Sequence, residues 1–396
     1  MSFKLTDKVT WVGKIDWELR RFHGDEYSTD KGSSYNSYLI RDKKTVLIDN
    51  VWGPYAEEFV ANLKKEIDLN EIDYIIQQHA ESDHSGALPL LMKEIPDTPI
   101  YCTKNGKNII KGHYHQDWNF VEVKTGDTLD IGDSTLTFVE ARMLHWPDSM
   151  FTYMSGENIL FSNDAFGQHY ASEYMFNDLV DQCELFTEAI KYYANILTPF
   201  SKLVTMKINE VLSFNLPLSM IATSHGVIWR DNPAQIVHKY LEWADAYQEN
   251  QITLVYDSMW HGTRRMAEAI AEGIREEDPE VNVKLQNAAL LDKNDIVTEI
   301  FKSKGVLIGS STINKSILHS IGGLLDMIAG LGFEKKKAAS FGSYGWSGES
   351  VGILDKRLEE AKFELVQPGI KALYNPDEAA KEECREFGRN FAKSFK

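Results

Sequence analysis

Apolar positions in the first 250 residues alternate between strand-like runs and helical stripes. Val9 to Ile15, Ser37 to Ile40 and Lys44 to Asp49 predict short strands, and the polar, glycine-containing segment Gly24 to Ser34 between them predicts an exposed loop. Tyr55, Phe59, Val60, Leu63 and Ile67 then recur at helical spacing, with Glu57, Glu58, Lys64 and Lys65 on the opposite face. A strand over 72–76, a helix over 86–94 and a strand over 99–102 follow. Strands are predicted over 120–123, 134–139, 150–154 and 158–162. The stretch 174–214 reads as largely helical, 220–223 as a last strand and 233–248 as an amphipathic helix. Two sheets packed face to face with helices outside accommodate this order.

The polar run Gln248-Glu249-Asn250-Gln251 breaks the pattern, so the expected domains are 1–249 and 250–396. Beyond it the rhythm is regular. Strands over 252–256, 281–285, 305–309 and 338–342 alternate with helices over 263–275, 316–330 and 350–361, the pattern of an open parallel sheet.

Bulk properties narrow the function classes. A chain of 396 residues can bury two or three cores. A net charge of −17 argues against general nucleic-acid binding, which needs a basic face. The N-terminus lacks a signal-peptide apolar core, and no apolar segment is long enough to span a bilayer, so the expectation is a cytoplasmic protein without membrane attachment. Cys102, Cys183 and Cys384 are far apart and form no Cys-x-x-Cys, which leaves neither a disulfide framework nor a thiolate metal site.

Chemistry concentrates at strand ends. His79-Ala80-Glu81-Ser82-Asp83-His84 places four potential ligands in six residues after the strand at 72–76. His145 in Leu144-His145-Trp146-Pro147-Asp148, Asp164 in Ser162-Asn163-Asp164 and His225 in Ser224-His225-Gly226 follow the same habit. A single His or Asp in such a place is usually a cap or a hydrogen-bonding group. Their recurrence points to a dinuclear metal site.

His-x-[His/Glu]-x-Asp-His, then His, Asp and His, resembles the metallo-β-lactamase-like domain. The chain has Glu81 where hydrolytic members carry His. With the segment Met143 to Ser149 and the second half of the chain, it closely resembles the flavodiiron proteins, or A-type flavoproteins. The resemblance implies an αββα metallo-β-lactamase-like sandwich followed by a flavodoxin-like doubly wound parallel sheet. It implies one iron on His79, Glu81 and His145, a second on Asp83, His84 and His225, and Asp164 bridging them. Carboxylate in place of imidazole makes the site harder and favours iron over zinc. Three carboxylates against two divalent ions leave it near neutral. His169 and Tyr193 lie in segments resembling the family's site-proximal ones and are candidate catalytic residues, as Trp146 is a candidate neighbour; packing is the alternative for each. Asp49 and Asp148 are candidates to orient ligand histidines, or are turn residues.

The parallel half supplies a second constellation. Ser258, Met259, Trp260, His261, Gly262 and Thr263 run from the first strand into a helix, and hydroxyls with backbone N–H groups at a helix N-terminus suit a phosphate. Ser310, Ser311, Thr312, Ile313 and Asn314 follow the strand at 305–309. Ser343, Tyr344, Gly345, Trp346 and Gly348 follow the strand at 338–342. Such carboxyl-end loops bind ligands in doubly wound sheets. Trp260, Tyr344 and Trp346 are candidates to stack on a ring. The pattern resembles flavodoxin, so FMN is the implied cofactor. Ser311 stands where the family more often has Pro, a departure expected to loosen the second loop without abolishing binding.

The resemblance implies an oxidoreductase that reduces O2 to water, NO to N2O, or both, as a head-to-tail homodimer or a dimer of dimers. With no Cys-x-x-Cys pairs to build a rubredoxin module, electrons are expected from an external donor, a rubredoxin or a reduced deazaflavin coenzyme. The competing readings are a dizinc metallo-hydrolase with an attached electron-transfer domain, against which Glu81 and the flavin loops speak, and a non-enzymatic electron carrier, against which the full ligand set speaks.

Overall fold

A computed structural model describes residues 2–396. The chain forms two compact units, Met1–Tyr193 with Phe200–Glu242, and Ala194–Pro199 with Trp243–Lys396.

Two sheets carry the core of the first unit. The seven-stranded one runs Phe3–Lys4, Val9–Trp11, Tyr38–Arg41, Thr45–Ile48, Tyr74–Ile76, Ile100–Cys102 and Phe120–Glu122 in spatial order. The five-stranded one runs Thr128–Asp130, Thr135–Glu140, Met150–Met154, Ile159–Asn163 and Met220–Thr223. One buried cluster joins their facing sides, with Trp11, Tyr38, Ile48 and Ile76 meeting Leu136, Phe138, Met154 and Phe161. Each such side chain taken out of water contributes about 1.5–3 kcal/mol. Helices cover the outer faces. Ala56–Glu66 buries Phe59, Val60 and Leu63, with Glu57 and Glu58 in its first turn and Lys64 and Lys65 in its last, matching the helix dipole. This is the expected αββα sandwich.

Two departures have physical causes. Helix Lys104–Tyr114 was not predicted, because two glycines dilute its propensity and only Gly106 and Ile110 are buried; Thr103 caps it by accepting the Gly106 N–H. The segment Gly24 to Ser34, expected to be exposed, buries Tyr27, Ser28, Thr29, Ser33 and Ser34. Its polar residues face a polar interior, which composition alone cannot distinguish from solvent.

The second unit holds a parallel sheet in the order Asn282–Asn287, Glu249–Asp257, Ser303–Ser310, Lys337–Tyr344, with Glu364–Leu365 and Ile370–Leu373 both on the last edge. Counted along the unit this is 2-1-3-4-5, the flavodoxin-like order, whose switch point lies between the first and third strands. Helices Lys293–Lys302 and Glu378–Lys393 join the predicted ones. The polar run at 248–251 leads into a strand. Gln251 is fully buried, and its amide donates to Glu299 and Ser303. Among the described residues no helix is long and apolar enough to cross a membrane.

Candidate functional site

The strand Tyr74–Ile76 runs into a loop held from behind. Gln77 Nε2 donates to Asp49 Oδ1 and to the carbonyls of His79 and His84, and the Gln78 N–H donates to Asp49 Oδ1 at 2.8 Å. Burial pushes Asp49 up to about 7. Its carboxylate therefore fixes the backbone of the ligand loop and is hydrogen-bonded to no histidine ring among the described residues. Asp148 does orient a ring: its Oδ2 lies 3.1 Å from His79 Nδ1 and accepts the Ala80 N–H at 2.7 Å. Trp146 packs edge-on against His79, with ring centroids 5.1 Å apart.

The short helix Ser82–Ser85 turns Asp83 and His84 inward. Asp164 and His225 follow directly on the strands Ile159–Asn163 and Met220–Thr223, and His145 sits in the loop before Met150. His225 Nδ1 meets the Ser34 carbonyl at 2.7 Å, which leaves Nε2 directed at the carboxylates. Gly226 must be glycine: φ is +70°, and a Cβ there would lie 1.7 Å from Gln168 Oε1.

The seven predicted ligands converge in two groups around Asp164. Its Oδ2 lies 3.7 Å from His79 Nε2 and 3.4 Å from His145 Nε2, and Glu81 Oε2 lies 3.2 Å from His79 Nε2. Its Oδ1 lies 3.1 Å from His84 Nε2 and 3.3 Å from His225 Nε2, and Asp83 Oδ2 lies 3.2 and 3.1 Å from the same two nitrogens. These separations suit donors arranged about 2.0–2.2 Å from a shared cation. All four carboxylate oxygens of Asp83 and Asp164 are buried without a hydrogen-bond partner. Side chains that close, charged and unbonded fit a pair of cations, and the nitrogen–oxygen donor set without thiolate suits iron.

The electrostatics agree. Burial disfavours a charged His79, yet Asp148 and Glu81 push it up to about 10; burial likewise opposes charge on His225, yet Asp164 and Asp83 push it up to about 9. Burial opposes ionisation of Asp164, but the His84 charge and the close rings of His145 and His225 hold it well below the carboxylate range. Asp164 is thus ionised, and a bound metal would take the place of ring protons.

The second coordination layer differs from expectation in detail. His169 Nδ1 meets Ser33 Oγ at 2.8 Å, its ring packs on His225, and burial followed by the His225 charge lowers it well below the usual histidine value. Tyr192, rather than Tyr193, packs on His169. Tyr193 is bonded to Ser201 Oγ at 3.0 Å and packs on Tyr240. Sequence reasoning missed His23, whose Nε2 lies 3.3 Å from Glu81 Oε1. Its neighbours Phe22 and Gly24 carry no ligand signal.

In the second unit, registers Asp257 with Ser310 and Gly309 with Phe341 bring the three predicted loops level at one sheet edge. Trp260 and His261 take left-handed backbone at +49° and +65°, and helix Gly262–Glu277 begins directly after them. A Cβ on Gly262 would lie 2.8 Å from the Tyr374 carbonyl and 2.9 Å from Ser343 Oγ. Trp260 and Trp346 are 86% and 87% exposed, whereas Tyr344 packs over Gly348. Ser310 Oγ turns inward to the Ser311 carbonyl and accepts the Leu318 N–H, and Thr312 Oγ1 donates to Ser350 Oγ. Ser311 does not loosen its loop. Its hydroxyl accepts the Met259 N–H at 3.1 Å and meets Thr263 Oγ1 and Ser343 Oγ at 2.9 and 3.2 Å. Tyr374, also missed, joins the cluster through its N–H to the Tyr344 carbonyl at 2.7 Å. Neutral hydroxyls, a 16-residue helix N-terminus, a glycine with no room for a side chain and bare aromatic faces fit a flavin phosphate and ring.

Comparison with known proteins points the same way. Residues 34–226 match the ODP family beta lactamase model, and residues 254–388 match flavodoxin. The chain is 58% identical to the anaerobic nitric oxide reductase flavorubredoxin of Klebsiella pneumoniae, covering 100% of this chain and 82% of that one. It is 59% identical to a protein of the same name from Escherichia coli, covering 100% and 83%. Among solved structures, the rubredoxin oxygen:oxidoreductase of Desulfovibrio gigas superposes with a TM-score of 0.96 at 36% identity, covering 100% of this chain and 98% of that one. The flavodiiron protein of Giardia intestinalis superposes with 0.94 at 32% identity, covering 99% and 96%.

Proposed function

Because the chain belongs to the flavodiiron proteins, we propose that it is an oxidoreductase that reduces nitric oxide to nitrous oxide, with dioxygen, reduced to water, as its alternative oxidant. The observation that carries this reading is Asp164, whose two unbonded oxygens face two separate sets of nitrogen and carboxylate donors. The high identity to relatives named nitric oxide reductases supports the order of the two oxidants.

In this reading residues 1–249 hold the metals and residues 250–396 the flavin. His79, Glu81 and His145 would hold one iron and Asp83, His84 and His225 the other, with Asp164 between the two sets. A bound iron pair would supply Lewis-acid activation of the small oxidant and, together with reduced FMN, four electrons, enough for two NO or one O2.

The chain's own residues do the rest. Asp148 keeps His79 Nδ1 engaged so that Nε2 faces the metal, and the Ser34 carbonyl does the same for His225. His169 braces the Ser33–Ser34 strand behind His225, and Tyr193 braces the helix that carries Ser201. His23 Nε2 lies 3.3 Å from Glu81 Oε1 at the partly exposed rim of the cluster. Ser258 and the backbone at Gly262 and Thr263 would take the flavin phosphate, and the loops at 310–314 and 343–348 its ring.

A separate electron donor of the rubredoxin type fits the names of these relatives, and a head-to-tail homodimer in the cytoplasm completes the proposal. The test is anaerobic turnover of NO, and separately of O2, by iron- and FMN-loaded protein with one saturating artificial donor. NO consumption well above that of free flavin, with about two irons per chain, is the expected result. Turnover no faster than free flavin, or a site that takes zinc alone, would return the dizinc hydrolase to first place.

A further inference from the structure

On the reading that the three loops of the parallel unit hold FMN, we propose that Ser311 is a positioning residue for the flavin. Its hydroxyl fixes the Met259 amide and the Thr263 and Ser343 side chains, so that the loops take their binding shape before the cofactor arrives. Ser311 is 4% exposed and lies behind the loops rather than at their rim. A hydroxyl has one hydrogen and two lone pairs, and the three neighbours use all of them.

Ser311, Thr263 and Ser343 form a closed triangle, since Thr263 Oγ1 also meets Ser343 Oγ at 2.8 Å. Each vertex belongs to a different strand-end loop. All three are buried, so water does not compete for these bonds.

The ties are unequal. The second and third loops are also joined by the Thr312 N–H to the Ser343 carbonyl at 2.9 Å. Thr263 Oγ1 with Ser343 ties the first loop to the third, but the side-chain hydrogen bonds that hold the first loop to the second run through Ser311 alone among the described residues. That first loop needs holding. Met259 and Trp260 are exposed, and Trp260 and His261 sit in left-handed backbone, which non-glycine residues adopt only when something else fixes them. A loop ordered in advance lowers the ordering cost of binding. A proline here would restrict its own φ and the residue before it, and its side chain could tie no neighbouring loop. The serine instead stiffens its neighbours.

The test uses the full-length chain stripped of FMN, with Ser311→Ala and the hydroxyl-retaining Ser311→Thr. FMN is titrated by quenching of its fluorescence, and amide exchange is followed over residues 257–263 of the flavin-free protein. Ser311→Ala should weaken FMN binding about tenfold and accelerate exchange at Met259 by a similar factor, with iron content unchanged. Ser311→Thr should stay within about threefold of the parent on both readouts. If Ser311→Ala binds FMN like the parent, or if exchange rises across the whole unit instead of at this loop, Ser311 is a packing residue and the inference fails. If the parent chain itself takes up no FMN, the flavin reading fails with it.

Discussion

The two candidate sites use opposite materials. In the sandwich unit the site is buried charge: Asp83, Asp164, His79, His84 and His225 are all at most 4% exposed, and the oxygens of both aspartates lack hydrogen bonds. In the parallel unit it is buried neutrality, three hydroxyls bonded to one another and to the Met259 amide. A metal replaces the protons and charges of its ligands, so its site consists of groups that are costly to bury without it. A flavin phosphate is met by uncharged N–H and O–H groups that can be satisfied beforehand. The first site therefore depends on its ligand for stability, and the second largely does not.

Removing Asp164 tests this contrast at its strongest. Asp164→Ala takes a donor from both groups at once. Iron should fall well below one per chain and NO turnover by more than about a hundredfold, while FMN affinity stays within about twofold. Metal analysis and fluorescence titration of the same sample check both halves. An equal loss of FMN would show that the two sites do not behave as separate materials.

Asp148 asks whether the charge behind a ligand counts as well as the ligand. Asp148→Asn keeps the shape but removes the negative charge beside His79 Nδ1. Iron affinity, read by competition with a chelator, should drop about 10- to 100-fold. A smaller change would mean that hydrogen bonding alone orients the ring.

Gly262→Ala is the counterpart in the neutral site. The added carbon meets the Tyr374 carbonyl at 2.8 Å, a backbone atom that cannot swing aside. The expected destabilisation is about 1–3 kcal/mol with weakened FMN and unchanged iron, measured by thermal unfolding of the flavin-free chain.

The same contrast explains what could be read from the chain. Metal ligands are legible because residue type nearly suffices: His79, Glu81, Asp83, His84, His145, Asp164 and His225 are rare, charged and placed at strand ends. The three large sheets were legible because apolar runs and their periods follow burial. His23, Tyr374 and the role of Ser311 were not, because a serine between two strands looks the same whether it faces solvent or ties three loops. Asp49 stayed between two readings for a related reason. Its carboxylate accepts from the Gln77 side-chain amide and the Gln78 backbone N–H, partners with no signature in spacing. Helix Glu378–Lys393 escaped because its buried stripe, Cys384, Phe387, Phe391 and Ala392, is thin among charges.

The smallest expected effect comes from the charge that the parallel unit does bury. Lys336 is 2% exposed and donates to the carbonyls of Tyr247, Phe301 and Ser303 at 3.1, 2.7 and 2.7 Å. Among the described residues no carboxylate answers it, and burial lowers its value from 10.5 to about 7. A lysine depressed on folding leaves the unfolded chain holding the extra proton between those two values. Stability is then greatest above the unfolded value and declines as pH falls toward the folded one, so unfolding of the flavin-free chain should move up by a few degrees from pH 7 to 9.5. Lys336→Met should unfold at a lower temperature overall, because three carbonyls lose their donor, but should lose this pH slope. A slope that persists in the variant would place the titrating group elsewhere. A flat profile in the parent would mean that three carbonyls hold the ammonium charged through this range, and that neutral groups alone can do for a cation what the sandwich unit does with carboxylates.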